Sequence, residues 1–379
     1  YDSHPRVNAD GLQALGSVKV VATDIDGDQA EGTVSVSVSD DVPTVNIVES
    51  SPQSAAEGAS INGSWTHTDG ADGATTQVLV GANSYNLGTA IDTGKGILTV
   101  NANGTWTFQA ANGLDQDVAQ SVSFTVKVTD GDNDVATDSL TINITDGAGP
   151  SAGAPISLLV DDQNLANGST PAGPDSDAKS ITFTPGSDAI QSIVFDSNLG
   201  NLNGGLVWTR VSDTQIVGKD GADSIVRLDL SVLNNVATVT ATLLDNYDSH
   251  PGVNADDLQA LGSVKVVATD IDGDQTAGTV SVSVSDDVPT VGVNASVQLD
   301  DDALSGGIPG GTGDDANAVN VTGTLAHTYG ADGGSMQWLT TGNPSGFTYV
   351  KSGDDLLIKQ GSTTVDTVTS NTTTGAYSD

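Results

Sequence analysis

Residues 1–45 recur almost letter for letter as residues 247–291, and each copy carries Asp-Ile-Asp-Gly-Asp, a Val/Ser alternation and Ser-Asp-Asp-Val-Pro. Self-similarity of this kind marks a stretch of a tandem array, in which each repeat is one supersecondary unit. An array argues against a single unique catalytic pocket. Function is therefore sought in the repeated acidic turns and in what lies between them.

Length and composition narrow the classes further. With 379 residues and 36% hydrophobic content the chain can bury several small cores, and two to four domains are expected. Aromatic residues make up only 4%, so each core is built largely from Val, Ile, Leu and Ala, which suits thin β-layers. The net charge is −38, from 49 acidic and 11 basic residues. Such a surface repels nucleic acid and anionic membranes, and neither is expected as a partner. There is no cysteine, so neither disulfides nor thiolate metal sites hold the fold. No apolar run approaches a membrane span or a signal peptide, and membrane insertion is not expected. Both ends fall inside repeat units, so the lack of a signal says nothing about a whole protein.

Val34-Ser35-Val36-Ser37-Val38 and the stretches 122–128, 140–144 and 280–284 alternate with period two, the mark of antiparallel strands with one buried face. Asn-Gly and Asp-Gly pairs, as in Asn101-Ala102-Asn103-Gly104 and Asp130-Gly131-Asp132, punctuate them as hairpin turns. No stretch shows helical periodicity, and the expected fold is an all-β sandwich. A recurring order of strand, Asp-rich turn, strand and acidic linker ends at Asp40-Asp41-Val42-Pro43, at Asp146-Gly147-Ala148-Gly149-Pro150 and at Asp286-Asp287-Val288-Pro289. A second internal match relates residues 63–73 to 323–333, through Gly63, His67 and Gly70-Ala71-Asp72-Gly73 on one side and Gly323, His327 and Gly330-Ala331-Asp332-Gly333 on the other. The expected division is the C-terminal part of one sandwich at 1–44, complete sandwiches at 45–148 and 149–290, and the N-terminal part of a further one at 291–379. The two partial units are complementary. Their ends are expected either to fray or to pair head to tail between molecules.

The run Val-Lys-Val-Val-Ala-Thr-Asp-Ile-Asp-Gly-Asp-Gln, followed by Gly-Thr-Val-Ser-Val-Ser-Val-Ser-Asp-Asp-Val-Pro, resembles the immunoglobulin-like repeats of giant type I-secreted RTX adhesins of Gram-negative bacteria. The likeness covers essentially the whole chain, strongest in 1–45 and 155–291 and weaker in 45–148. It implies tandem immunoglobulin-like β-sandwich domains in an extended array, at the surface of biofilm-forming cells. It also implies calcium-stiffened extender arms, or split frames that carry an inserted ligand-binding domain, with a host or biofilm ligand bound elsewhere in the adhesin.

The acidic residues cluster in Gly-containing turns, where oxygen ligands for a hard cation would sit, and calcium is the expected ion. In a seven-strand sandwich the loops after the second, fourth and sixth strands share the end at which the chain arrives. Asp40 and Asp41 of the first linker are therefore expected to meet Asp130, Asp132 and Asp134, with Asp72 nearby. Asp146 is expected to meet Asp270, Asp272 and Asp274. Asp286 and Asp287 face the next unit, where Asp332 repeats Asp72, and Asp24, Asp26 and Asp28 await an upstream linker. Gathering carboxylates in this way is unfavourable unless a divalent cation neutralises them. The Asp-x-Asp-Gly-Asp spacing opens like an EF-hand loop but lacks its twelfth-position Glu. The competing reading is that these are solvated turns in which Asp and Gly suit the backbone. That solvated reading is preferred for a further acidic loop, Asp161, Asp162, Asp175 and Asp177, and for its counterpart at Asp300, Asp301, Asp302, Asp314 and Asp315.

Other signals carry less. Gly310-Gly311-Thr312-Gly313-Asp314-Asp315 fits the opening of an RTX nonapeptide, but only one copy exists and Asn317 holds the apolar position. His4, His67, His250 and His327 are two pairs of repeat equivalents, and no nucleophile turn or Gly-x-Ser-x-Gly accompanies them, so no catalysis is expected. Trp338 aligns with Val78 and Trp106 alternates with polar neighbours, and both are expected in cores. The favoured function is a non-catalytic, calcium-stiffened extender of a cell-surface adhesin. The alternative is a glycan- or peptide-binding module, or a split frame for one.

Overall fold

The computed structural model describes residues 12–49, 53–71, 73–116, 118–171, 175–247, 257–294, 296–308, 310 and 321–378. Among these, the only helical elements are two short 3-10 turns, Asp162–Asn164 and Asp301–Ala303. No helix is long and apolar enough to cross a membrane. The chain forms two compact units. The first joins Tyr1–Ser151 to two later excursions, Thr184–Ser192 and Ala268–Thr276; the second takes the remaining segments.

In the first unit, Leu12–Thr23 and Gln29–Ser39 make an antiparallel hairpin that sets Val18 opposite Val34 and Val20 opposite Gly32. A complete sandwich follows. One sheet runs in the order Thr44–Ile47, Ser60–Thr68, Thr105–Ala110, Gly96–Val100, Ile91–Asp92; the other runs Ser54–Ala56, Val135–Thr145, Gln120–Asp130, Ala74–Val80, Asn83–Asn86. The period-two stretch Gln120–Asp130 alternates between core and surface as its pattern predicts. Trp65, Trp106, Phe108, Phe124, Leu98 and Ile142 fill the space between the sheets. Trp106 takes the core position expected of it, its ring 5.7 Å from that of Phe124. A glycine makes room for this ring, since a Cβ at Gly63 would fall 2.6 Å from it.

In the second unit Ser176–Thr184, Val236–Leu243, Asp223–Leu233, Gln215–Asp220 and Val207–Ser212 follow one another in one sheet. The opposing sheet orders Ile156–Asp161, Gln275–Ser285, Leu258–Asp270 and Ile190–Phe195. Its first strand pairs in parallel with its neighbour, Leu158 opposite Val282 and Asp161 opposite Ser285. The first unit repeats the device, because Ser54–Ala56 lies parallel to Val135–Thr145 with Ala56 opposite Thr145. Each sandwich thus ends its last strand beside the end of its first. Residues 321–378 contribute Thr322–Thr324, Ala376–Ser378, Thr363–Ser370, Asp355–Gln360 and Phe347–Ser352 as a further sheet.

Trp338 departs from the expectation of a core strand. It is half-buried beside an open groove, and residues 335–346 form no strand. The reason lies in pairing: its counterpart Val78 is held in a strand by Val126 of Gln120–Asp130, and no described strand plays that part for Trp338.

Two substitutions test the first core. Trp106→Ala is expected to cost about 3–5 kcal/mol, and Gly63→Ala about 1–3 kcal/mol through overpacking. Urea unfolding followed by circular dichroism measures both, and an unchanged midpoint for either would contradict the packing described.

Candidate metal centres

Three turns share one construction. The first Asp of each five-residue turn bonds back to its fifth residue, with the backbone N–H of Asp28 donating to Asp24 Oδ1 at 2.8 Å, that of Asp134 to Asp130 Oδ1 at 2.7 Å, and that of Asp274 to Asp270 Oδ1 at 2.8 Å. The fourth residue takes a left-handed backbone, supplied by Gly27, Asn133 and Gly273. In each turn the first carboxylate therefore shapes the backbone, and the third and fifth are placed beyond it.

At the first linker, one oxygen each of Asp40, Asp132 and Asp134 lies within 4.8 Å of the others. Asp40 and Asp134 are buried and Asp132 half-buried. Burial raises the Asp130 carboxyl above its ordinary range. Asp41 was expected in the same group but turns away, accepting the Ala71 N–H on Oδ2 at 3.0 Å. Asp72 lies outside the described residues. Asp24, Asp26 and Asp28 also bring one oxygen each within 4.8 Å, all three on exposed side chains.

The second cluster departs furthest from expectation. Asp272 converges not on Asp146 alone but on Glu57 and Asp188, again with one oxygen each within 4.8 Å. Glu57 and Asp188 are buried and Asp272 half-buried. Glu57 Oε1 accepts the Leu114 N–H at 3.0 Å and the Gln116 amide at 3.0 Å, Asp188 Oδ2 accepts the Ser187 hydroxyl at 3.0 Å, and Asp272 Oδ1 accepts the Gln116 N–H at 3.4 Å. The other oxygen of each, Glu57 Oε2, Asp188 Oδ1 and Asp272 Oδ2, is sealed from solvent without a donor among the described residues. No described ion pair reaches these three side chains. Burial, then the charge of Glu57, raises Asp188; burial, then the charges of Asp188, Asp146 and Asp115, raises Asp272. Asp274 lies against the linker at Gly149, where a Cβ would meet its Oδ2 at 2.8 Å.

The third grouping, in the second unit, centres on Asp162. The sequence suggested a solvated loop there; instead Asp162 is fully buried. Asp161 caps the 3-10 turn that carries it, accepting the Gln163 N–H. Burial, and next the charges of Asp332, Asp286 and Asp287, push the Asp162 carboxyl up to about 8. Asp287 accepts the Ser169 N–H at 2.7 Å and its hydroxyl at 2.6 Å, and Asp332 accepts the Asn246 amide at 3.1 Å. The same loop's Asp175 accepts the Asn164 amide at 3.0 Å and Asp177 the Leu159 N–H at 3.0 Å, so these two serve the fold. Asp301 and Asp302 repeat the turn, Asp301 exposed and Asp302 half-buried; Asp314, Asp315, His4 and His250 lie outside the described residues.

Parallel pairing explains the residues the sequence reading missed. Glu57 follows Ala56 and Asp162 follows Asp161, so the two occupy equivalent places beside the acids that follow Thr145 and Ser285. Asp188 lies in the loop after Ser176–Thr184, and in the sequence Asp72 follows the segment of Ser60–Thr68 at a similar distance. That equivalence was the available signal for Asp188. Buried oxygens without donors, gathered from three side chains, suit a hard cation that takes six to eight oxygens. Two like charges about 4 Å apart repel by about 4 kcal/mol at an effective dielectric near 20, so an ion or protons must compensate them.

No family model matches the chain, and no curated protein matches it. Solved structures do. The tetra-tandem repeat in the extending region of a large adhesion protein is 16% identical over 96% of this chain and 72% of that one, with a TM-score of 0.21. A 1.5-MDa bacterial ice-binding adhesin is 16% identical over 71% and 73%, with a TM-score of 0.22. Protocadherin gammaB7 EC3-6 is 13% identical over 76% of this chain and 62% of its own, with a TM-score of 0.26. Likeness at this level carries no argument about activity.

The raised carboxyls fix a sign. Without metal, the folded protein holds these protons more tightly than the unfolded chain, so stability is greatest at acid pH and is lost as pH rises through the folded values, up to about 8 for Asp162. In chelator, the unfolding temperature is expected to be higher at pH 5 than at pH 8. Differential scanning calorimetry checks this, and a temperature that climbs with pH would refute it.

Proposed function

We propose that the chain is a non-catalytic, calcium-stiffened extender of a secreted cell-surface adhesin of the RTX type, serving biofilm attachment. The observation that carries the reading is the Glu57–Asp188–Asp272 group, in which three carboxylates each keep an oxygen out of water with no donor. The residues proposed to hold calcium are these three, with Asp146 close by; Asp40, Asp132 and Asp134; and Asp162 with Asp286, Asp287 and Asp332. The division into sandwiches at 45–148 and 149–290 flanked by two partial ones remains the proposed domain plan. In it, each group sits where an acidic linker meets the next unit's turns. The comparisons support an adhesive setting only in that adhesins stand among the similar structures.

Calcium bound there would replace mutual repulsion by shared coordination, tying linker and turns together. Extracellular modules bind calcium at about 10⁻⁴ to 10⁻³ M, so such sites fill outside a cell and empty in the cytosol. Ligation after export would then stabilise each site by RT ln(1 + [Ca]/Kd). An empty, self-repelling chain stays loose enough for secretion.

Calorimetric titration is expected to show binding in that concentration range, and Glu57→Gln to remove part of the heat. Small-angle scattering should report a longer, stiffer particle in calcium than in chelator; an unchanged particle length would defeat the proposal. Asp188→Asn gives an independent check, because it should raise the unfolding temperature in chelator, by removing repulsion, and lower it in millimolar calcium.

A further inference from the structure

Gln116 stands between two of the three acids of the second cluster and is not itself an acid. Its side-chain amide donates to Glu57 Oε1 at 3.0 Å and its backbone N–H to Asp272 Oδ1 at 3.4 Å. The Leu114 N–H adds another bond to Glu57 Oε1 at 3.0 Å. One short stretch of chain therefore grips two acids that lie far apart in the sequence.

That stretch is built against the turn that carries Glu57. The Gly58 N–H donates to the Ala111 carbonyl at 3.3 Å, the Ala110 N–H to the Ala59 carbonyl at 2.9 Å, and the Gln109 amide to the Gly58 carbonyl at 2.7 Å. Gly58 has a left-handed backbone, with φ at +69°, and a Cβ there would fall 2.3 Å from Asn112 Oδ1. Glycine lets the two loops close. The donors then sort the oxygens of the cluster. N–H groups take Glu57 Oε1 and Asp272 Oδ1, and the Ser187 hydroxyl takes Asp188 Oδ2 at 3.0 Å. What remains is one oxygen per acid, Glu57 Oε2, Asp188 Oδ1 and Asp272 Oδ2, and these are the ones sealed from solvent without a donor. A carboxylate fixed through one oxygen cannot turn without losing those bonds, so its other oxygen is aimed before any ion arrives.

We propose that Gln116 is a positioning residue for a divalent cation at this cluster: it holds Glu57 and Asp272 so that each presents a single oxygen, and it ties a bound ion to the 111–116 loop. The inference rests on the calcium reading of the cluster and adds to it a neutral residue that sets the affinity. Removing a donor that orients a metal-binding side chain weakens metal binding by about 10- to 100-fold. It also couples the loop to the ion, because Leu114 and Gln116 are held by the acids that the ion would order.

Two backbone amides report two clusters separately, since Leu114 donates to Glu57 while Asp134 belongs to the group with Asp40 and Asp132. Followed by NMR as calcium is added to the full chain, both signals should shift. Gln116→Met keeps the length and stem of the side chain and removes its amide donor. In that variant the calcium concentration at the Leu114 midpoint should rise by about 10- to 100-fold, while the Asp134 midpoint stays in place. A residue that merely supported the fold would move both midpoints or neither, and either result overturns the proposal. A second measurement needs no variant: in the unaltered chain the Leu114 amide should exchange more slowly in calcium than in chelator. Exchange that is the same in both, or an Asp134 signal that answers calcium while Leu114 does not, removes Gln116 from this part and leaves the calcium reading standing. If neither amide of the unaltered chain answers calcium, that reading itself falls and the proposal with it.

Discussion

A carboxylate taken out of water must share a proton or face a cation, and this fold takes several out together. The backbone leaves little choice. Parallel pairing of the first strand with the last, Ala56 opposite Thr145 and Asp161 opposite Ser285, delivers one acid from each strand end to the same place. The Asp-rich turns are fixed in turn by their own first residue, whose carboxylate accepts the fifth N–H. With 11 basic residues against 49 acidic ones, the chain has few cations of its own to spend there. In the proposed function that compensation comes from calcium, and the rigidity of the chain would then follow the ion content of its surroundings.

The fold was legible because its signals are local. Period-two stretches such as Gln120–Asp130 became strands with one buried face, and each Asp-x-Asp turn closed by bonds within five residues. The candidate sites were legible only in part. Asp40, Asp132 and Asp134 in one group, and Asp272 in another, come from repeated, conspicuous motifs. Glu57 and Asp188 stand as single acids in unlike contexts, Ala-Ala-Glu-Gly and Gly-Ser-Asp-Ala, and Asp162 sits in a run that reads as a surface loop. Non-local strand pairing brings Glu57 and Asp162 to their places, and no window of sequence contains that pairing.

The hairpin pair separates what sequence decides from what surroundings decide. Leu12–Thr23 with Gln29–Ser39 and Leu258–Asp270 with Gln275–Ser285 are both long antiparallel hairpins closed by the same turn. Local propensity and turn chemistry suffice for that much. Burial does not follow from them, since Val20 and Val266 lie at opposite extremes. What covers the second hairpin comes from far along the chain: Ile156–Asp161 pairs at its edge, and Ile181 and Phe183 of the facing sheet pack against it at Gly278.

The same reasoning accounts for Trp338. A strand forms when its backbone groups find partners, and Val78 finds them in Val126 and Tyr85 on either side. Trp338 carries a more strongly apolar side chain than Val78 yet stands outside any strand, which shows that apolar character alone does not order this segment. Ladder partners do, as the Val126 and Tyr85 pairings of Val78 show.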